Sequence, residues 1–133
     1  MNIQRIMTET LFRKVVLFYK EELKKLHNRP GVAEVKIVYI AGKVTGLEYT
    51  HVRNKFALRE SQLAKQGYVV INPCDLIDEH EDWQTAMKIC VSLLSFADFI
   101  SLLDDWQDSE GATLERHLAD KFKIPLLPFN GFQ

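Results

Sequence analysis

The segment SEGATLERHLAD, residues 109–120, carries the side chain with the clearest chemical potential in this sequence. In a helix, Ala112, Glu115 and Ala119 share one face, because they lie three and four residues apart. Glu115 therefore has small neighbours and room beside it for a ligand. We expect it in the first turn of the helix, where the helix dipole favours a charged carboxylate. An ionised, uncrowded carboxylate suits nucleophilic attack on an electrophilic carbon, although the dipole alone also accounts for a glutamate at this position.

A second segment, YIAGKVTGLEY at 39–49, offers groups that could hold an anion. Gly42 and Gly46 allow tight turns and a close approach of backbone to ligand. Backbone amides of the loop, together with Lys43 and the hydroxyl of Thr45, could bind a phosphate. The spacing is not GxGxxG, and Val44 stands where a P-loop has Ser or Thr. A plain turn between a strand and a helix is the alternative interpretation.

A third segment, NPCDLIDEHEDW at 72–83, clusters five acidic residues around His80. A metal site is conceivable there, but the acids lack the alternation of a calcium-binding loop. We predict a solvated loop in which Asp82 caps the following helix. We predict no metal site and no cofactor.

All three segments follow predicted strands, which gives them a common location. The patterns predict strands over 34–42, 68–73, 98–104 and 124–129, alternating with helices over 50–67, 82–97 and 109–123. This alternation indicates a parallel sheet covered by helices on both faces. Ligands of such folds bind beyond the carboxyl ends of the strands, so we predict a site built from loops 41–50, 72–80 and 104–111. On the last helix we expect the apolar, sheet-facing side to run through Leu114, Leu118 and Phe122.

An additional amphipathic helix is predicted over 8–28, ended by the sequence NRPG. We therefore expect two parts, a helical extension over 1–33 and an α/β domain over 34–133. The apolar stripe of the extension is wide. Packing on its own domain and packing in a homodimer both account for it.

Composition narrows the class of protein. The chain has 133 residues, 47% of them hydrophobic, and a net charge of −1 from 17 basic and 18 acidic residues. That balance provides no basic surface for duplex nucleic acid or an anionic membrane. Cys74 and Cys90 are too far apart for a CxxC motif and are expected to be reduced thiols. Without a signal-like or membrane-spanning run, we expect a soluble cytoplasmic protein whose partner is a small molecule.

Four motifs taken together resemble the nucleoside 2-deoxyribosyltransferase superfamily. They are YIAGKVTG, INP, the D-x-x-x-L-L strand from Asp98, and W-x-x-S-x-G-A-x-x-E at 106–115. The resemblance covers about residues 36–127 and is closest to a bacterial and phage branch of small domains similar to nucleoside-monophosphate N-glycosidases. It implies a flavodoxin-like three-layer sandwich. It also implies that Glu115 attacks C1′ of a deoxynucleoside and displaces the base, with Tyr39 approaching the carboxylate.

The same resemblance implies contacts to the substrate. Ser109 stands where relatives that hydrolyse monophosphates have a Ser facing the 5′-phosphate, and where transferases acting on nucleosides have an Asp. Lys43 would suit the same phosphate. Trp106 could stack on the base or simply cover the end of its strand. The predicted substrate-binding set is Gly42, Lys43, Thr45, Gly46, Trp106, Ser109 and Gly111.

Two positions depart from the family pattern. Cys90 stands where characterised members have an Asp near the base, and a thiol cannot replace a carboxyl as proton donor to a departing base. Asp75 or Asp78 could reach in to substitute for it. Asp104 and Asp105 stand where this branch usually has Pro-Gly or a similar turn pair, and we expect both to face solvent.

The predicted function is cleavage or transfer at the N-glycosidic bond of a (deoxy)nucleoside 5′-monophosphate, and the partner is a nucleotide or nucleoside. The alternative is a non-catalytic nucleotide-binding or sensor domain, motivated by Cys90. A flavin protein is a third option that rests on fold analogy alone.

Overall fold

The computed structural model describes residues 36–128, together with Leu17 and Glu21. The chain divides into two units, residues 1–35 and 36–133, and the α/β fold belongs to the second. Apart from Leu17 and Glu21, the predicted helix over 8–28, with the packing expected for it, lies outside the described residues.

Strands and helices alternate through the described residues. The elements are β1 (Ile37–Ala41), α1 (Tyr49–Lys65), β2 (Val69–Ile71), α2 (Trp83–Leu94), β3 (Phe99–Leu102) and α3 (Glu110–Lys121), with 3-10 turns at Pro73–Asp75 and Trp106–Asp108. The strands form a parallel sheet in the order β2-β1-β3. This confirms the α/β class, and the arrangement is consistent with a flavodoxin-like sandwich. Over the same residues, no helix combines the length and the apolar content needed to cross a membrane.

The central strand β1 connects the two faces of the sheet. All five of its residues are buried, as expected for a parallel strand covered on both sides. Val38 and Ile40 pack in one hydrophobic cluster with Phe56 of α1. Because successive side chains point to opposite faces, Tyr39 points the other way, toward α3, where its hydroxyl donates to Glu115.

The face that α3 turns to the sheet differs from the prediction. Its buried residues are the small ones and the carboxylate, namely Gly111, Ala112, Glu115 and Ala119. Leu114 and Phe122, expected to face the sheet, are 39% and 47% exposed. Small side chains allow α3 to approach β1 and β3 closely, and this close packing outweighs the apolar stripe.

The prediction of a strand over 124–129 is also wrong in its extent. Among the residues described up to 128, only a single parallel bridge joins Ile100 to Leu126. Pro125 accepts a hydrogen bond from the Ile100 amide at 3.0 Å, but its ring nitrogen has no hydrogen to donate. A proline at this position therefore limits the ladder.

Gly42, immediately after β1, is expected to tolerate no side chain. A Cβ at this position would lie 2.5 Å from Leu103 Cδ1 and 2.9 Å from Leu103 Cβ. Gly42→Ala should therefore lower the free energy of unfolding by about 1–3 kcal/mol, the usual cost of overpacking. Chemical denaturation measures this. Gly46→Ala is the matched control, because Gly46 has open space around it but a φ of +85°, so only backbone strain of about 1 kcal/mol applies. Equal stability of Gly42→Ala and the wild type would contradict the prediction.

Candidate active site

A cavity of about 480 Å³ opens at the carboxyl ends of the strands. Its wall comes from the loops that follow β1 and β2 and from the start of α3. In the strand order β2-β1-β3, the chain reverses direction across the sheet between β1 and β3, which is where ligands of open α/β sheets bind. The volume lies within the usual range for small-molecule sites.

Tyr39 and Glu115 form a buried pair on the wall of this cavity. Tyr39 is fully buried and Glu115 is 5% exposed. The Tyr39 hydroxyl donates a hydrogen bond to Oε2 of Glu115, while Oε1 accepts none from any described residue. One carboxylate oxygen is thus held in place, and the other remains available to a ligand.

The charge state of Glu115 differs from the expectation of an ionised carboxylate. The helix begins at Glu110 with Ser109 as N-cap, so Glu115 lies in the second turn, beyond most of the dipole effect. Burial raises the pKa of Glu115 to about 7, and the hydrogen bond from Tyr39 lowers it only in part. Both the protonated and the ionised forms are therefore populated near neutral pH.

Several predicted substrate-binding residues line the same cavity. Gly42, Thr45 and Gly46 do so from the loop after β1, and Ser109 and Gly111 do so from the start of α3. The Ser109 side-chain oxygen accepts the Ala112 amide at 3.0 Å, so it caps the helix while its own hydroxyl hydrogen can still be donated. At Gly111 a Cβ would lie 3.0 Å from Met87 Sδ, which favours glycine there.

Lys43 is not among the residues of the cavity wall. Its backbone amide and carbonyl are hydrogen-bonded to neighbouring side chains. Its amide donates to Asp105 Oδ1 at 3.0 Å, and its carbonyl accepts from Lys55 Nζ. Lys55 also forms a salt bridge with Asp105. The prediction that Asp105 faces solvent is therefore wrong. Burial raises the pKa of Asp105, but the hydrogen bonds from Lys55 and Lys43 outweigh it and leave the pKa below its usual value.

Trp106, predicted to contact the substrate, begins a 3-10 turn before α3 and is not a residue of the wall. Besides Tyr39 and the core residue Phe56, two aromatic residues line the cavity, Tyr49 and Trp83, and sequence reasoning did not assign these two to the site. Each is the first residue of a helix that follows a parallel strand. Helix starts of this kind lie at the ligand end of the sheet, so an aromatic residue at this position is the signal that could have identified both.

Cys90 lies on α2 beside the buried pair. It lines the cavity and is 8% exposed. Burial, reinforced by the neighbouring Glu115 carboxylate, raises the pKa of the Cys90 thiol to about 12. The thiol thus occupies a position next to Tyr39 and Glu115 but holds its proton too tightly to release it near neutral pH.

The acidic loop after β2 contributes the remaining charged groups among the described residues of the wall, which are Asp78, Glu79 and Glu81. Asp82 caps α2 by accepting the Thr85 amide at 2.8 Å, which confirms its predicted role. Asp75 is not among the wall residues. Within residues 36–128, no three His, Cys, Asp or Glu side chains are grouped so that they could hold a metal ion.

One comparison with known proteins gives a match. The sequence model of a protein family described as a domain of unknown function, DUF4406, matches residues 36–127, a range that contains every residue of the cavity wall. No curated protein and no solved structure matches the chain.

Proposed function

The chain belongs to the DUF4406 family, and we propose that its domain cleaves or transfers at the N-glycosidic bond of a (deoxy)nucleoside 5′-monophosphate. In this proposal the domain works as the nucleoside 2-deoxyribosyltransferase superfamily does, with Glu115 as nucleophile and Tyr39 as the group that orients it.

A single observation carries the proposal. Glu115 is buried on the wall of a ligand-sized cavity, with one oxygen held by Tyr39 and the other without a partner among the described residues. Burying a carboxylate in this way costs stability, and its raised pKa is typical of functional sites. A purely structural role would be served as well by an uncharged side chain.

The proposed reaction has two steps. An oxygen of ionised Glu115 forms a bond to C1′ of the sugar, and the C1′–N bond breaks with its electron pair leaving on the base, which takes up a proton from water. Water or a second base then attacks C1′ and releases Glu115. The Tyr39 hydroxyl holds the carboxylate in one orientation throughout, which lowers the entropic cost of reaching the transition state.

The 5′-phosphate would lie over the start of α3. The first amides of this helix and the hydroxyl of Ser109 can donate to an anion, and Thr45 and Gly46 also line the cavity. Lys43 is not on the cavity wall and its amide already donates to Asp105, so the proposal no longer includes it as the cation that binds the phosphate.

The direct test measures free base released from a panel of deoxynucleoside monophosphates by chromatography. Wild-type protein is expected to release base, and Glu115→Gln should release it about a thousandfold more slowly or not at all. Asp120→Asn, an exposed change on the same helix and outside the cavity wall, should retain the wild-type rate. Full activity of Glu115→Gln would rule out the proposed nucleophile.

The rate should also depend on pH in a specific way. Because only ionised Glu115 attacks, base release is expected to rise with pH and level off above about 7, the pKa of this group. Tyr39→Phe removes a hydrogen bond that lowers this pKa, so the midpoint of the profile should move to higher pH. Rates measured between pH 5 and 9 test both statements. Identical midpoints for the two proteins would contradict the role given to Tyr39.

A second function, nucleotide binding without catalysis, is favoured by Cys90. With its thiol pKa at about 12, this residue supplies no ready proton to a departing base. Under this alternative, calorimetry would detect binding of monophosphates while chromatography detects no free base.

A further inference from the structure

The cavity has chemically different sides. The loop after β2, the edge strand next to β1, brings Asp78 and Glu79 to the wall. The start of α3, which follows β3 on the other side of β1, brings Ser109 and Gly111. One side therefore offers hydrogen-bond acceptors with negative charge, and the other offers donors.

Two aromatic side chains, those of Trp83 and Tyr49, also line the cavity. Trp83 is 38% exposed, and its Nε1 lies 3.8 Å from where a Cβ of Gly111 would be, which places the indole at the start of α3. Tyr49 lies near the acidic loop. Burial and the neighbouring Cys74 raise the pKa of Tyr49, Arg53 lowers it in part, and the Glu79 and Asp78 carboxylates raise it by smaller amounts. Aromatic faces of this kind suit a planar ring.

A buried and incompletely paired group lies in the same cavity. Glu115 is 95% buried, and its Oε1 accepts no hydrogen bond from the described residues. The acidic loop is therefore part of the wall of the same cavity as a buried carboxyl that has one oxygen free to accept a hydrogen bond from a ligand.

We infer that the cavity selects bases carrying an exocyclic amino group, with the planar ring against Trp83 and Tyr49 and the amino group directed to Asp78 and Glu79. This inference rests on the proposed function and specifies the substrate class of the same site. A carboxylate accepts a hydrogen bond from an amino group, whereas an oxo group in the same place meets it with a second acceptor. Cytosine is thus preferred to uracil, and adenine to hypoxanthine.

The test uses matched pairs that differ in this one group. Binding of dCMP against dUMP and of dAMP against dIMP, with the corresponding deoxynucleosides, is measured by calorimetry on full-length Glu115→Gln protein, which does not consume the ligand. The amino member of each pair is expected to bind about tenfold more tightly, the low end of the range for a hydrogen bond to a charged group.

Variants of the acidic loop then locate the source of the preference. Adding Asp78→Asn and Glu79→Gln should bring both members of a pair to similar affinity, because an amide offers a donor as well as an acceptor. The change keeps the local turn, since an Asn oxygen can still accept the His80 amide that Asp78 Oδ1 accepts at 2.9 Å. Asp120→Asn, at an exposed position that is not on the wall, removes a charge elsewhere and should leave the preference intact.

The outcomes separate the inference from the proposed function. Equal binding within each pair, a preference for the oxo member, or a preference that survives the double loop variant would overturn the inference and leave the proposed function standing. Failure of every nucleotide and nucleoside to bind would overturn the proposed function itself.

Discussion

Replacing Glu115 with Gln is expected to stabilise the protein at pH 8 by about 3 kcal/mol. Glu115 has a pKa of about 7 in the folded chain, against an ordinary value of 4.5 for a glutamate in water. Between these values the folded state binds the proton that the unfolded state has lost, so stability falls as pH rises through this window and is fully present only below it. A difference of this size corresponds to about 3 kcal/mol lost above pH 7. The neutral amide of Gln does not incur this loss.

Denaturation at a series of pH values between 5 and 8 measures the effect. The two proteins should have similar stability near pH 5 and diverge progressively toward pH 8, where the melting temperature of Glu115→Gln should be higher by roughly 10 °C or more. Glu110→Gln, exposed on the same helix, should follow the wild-type curve. Parallel curves for wild type and Glu115→Gln would show that burial does not perturb this carboxyl. A variant that gains stability while losing base release would be the usual signature of an active-site residue.

Replacing Cys90 with Asp is expected to increase base release by about a hundredfold or more. The new carboxyl would stand beside Glu115, and two adjacent carboxyls cannot both ionise near neutral pH. The pair therefore retains one proton, in the place where a departing base requires it. General acid catalysis of this kind contributes about 10²–10⁴ in rate, whereas the present thiol has a pKa of about 12.

Cys90→Asn is the matched control, because it introduces a polar group of similar size without an acidic proton. Its rate of base release should stay at the wild-type level, and thermal unfolding of both variants at pH 6 verifies that they fold. A folded Cys90→Asp protein that gains no activity would favour the function of nucleotide binding without catalysis.

The sequence predicted most of the fold correctly because regular patterns encode it. The apolar runs of β1, β2 and β3 and the helices between them are local features, and each helix was predicted to within a few residues of its observed ends. The fourth strand was overpredicted, since an apolar run containing Pro125 reads as a strand although its ladder is limited. The sheet-facing side of α3 was misassigned because apolar periodicity reports which side chains avoid water, and it does not report how closely two backbones approach.

The candidate site was predicted in outline and corrected in detail. Thr45, Gly46 and Ser109 lie on the cavity wall with Glu115, because loops that follow parallel strands converge at one edge of a sheet. Lys43 and Trp106 do not lie on the wall. The backbone of Lys43 is hydrogen-bonded to Asp105, and Trp106 belongs to a short 3-10 turn. Trp83 also lies on the wall, at the end of a segment in which only the acidic residues and His80 had been considered.

The sequence alone predicted the alternation of elements, the loops that meet at the ligand end, and a glutamate with small neighbours on one face of the last helix. The burial, hydrogen bonding and pKa of that glutamate depend on the tertiary structure. Its burial and its hydrogen bond from Tyr39, 76 positions away in the chain, arise when β1 and α3 pack together. A pKa depends on the groups and the solvent around a carboxyl in three dimensions, and no local pattern of residues records them.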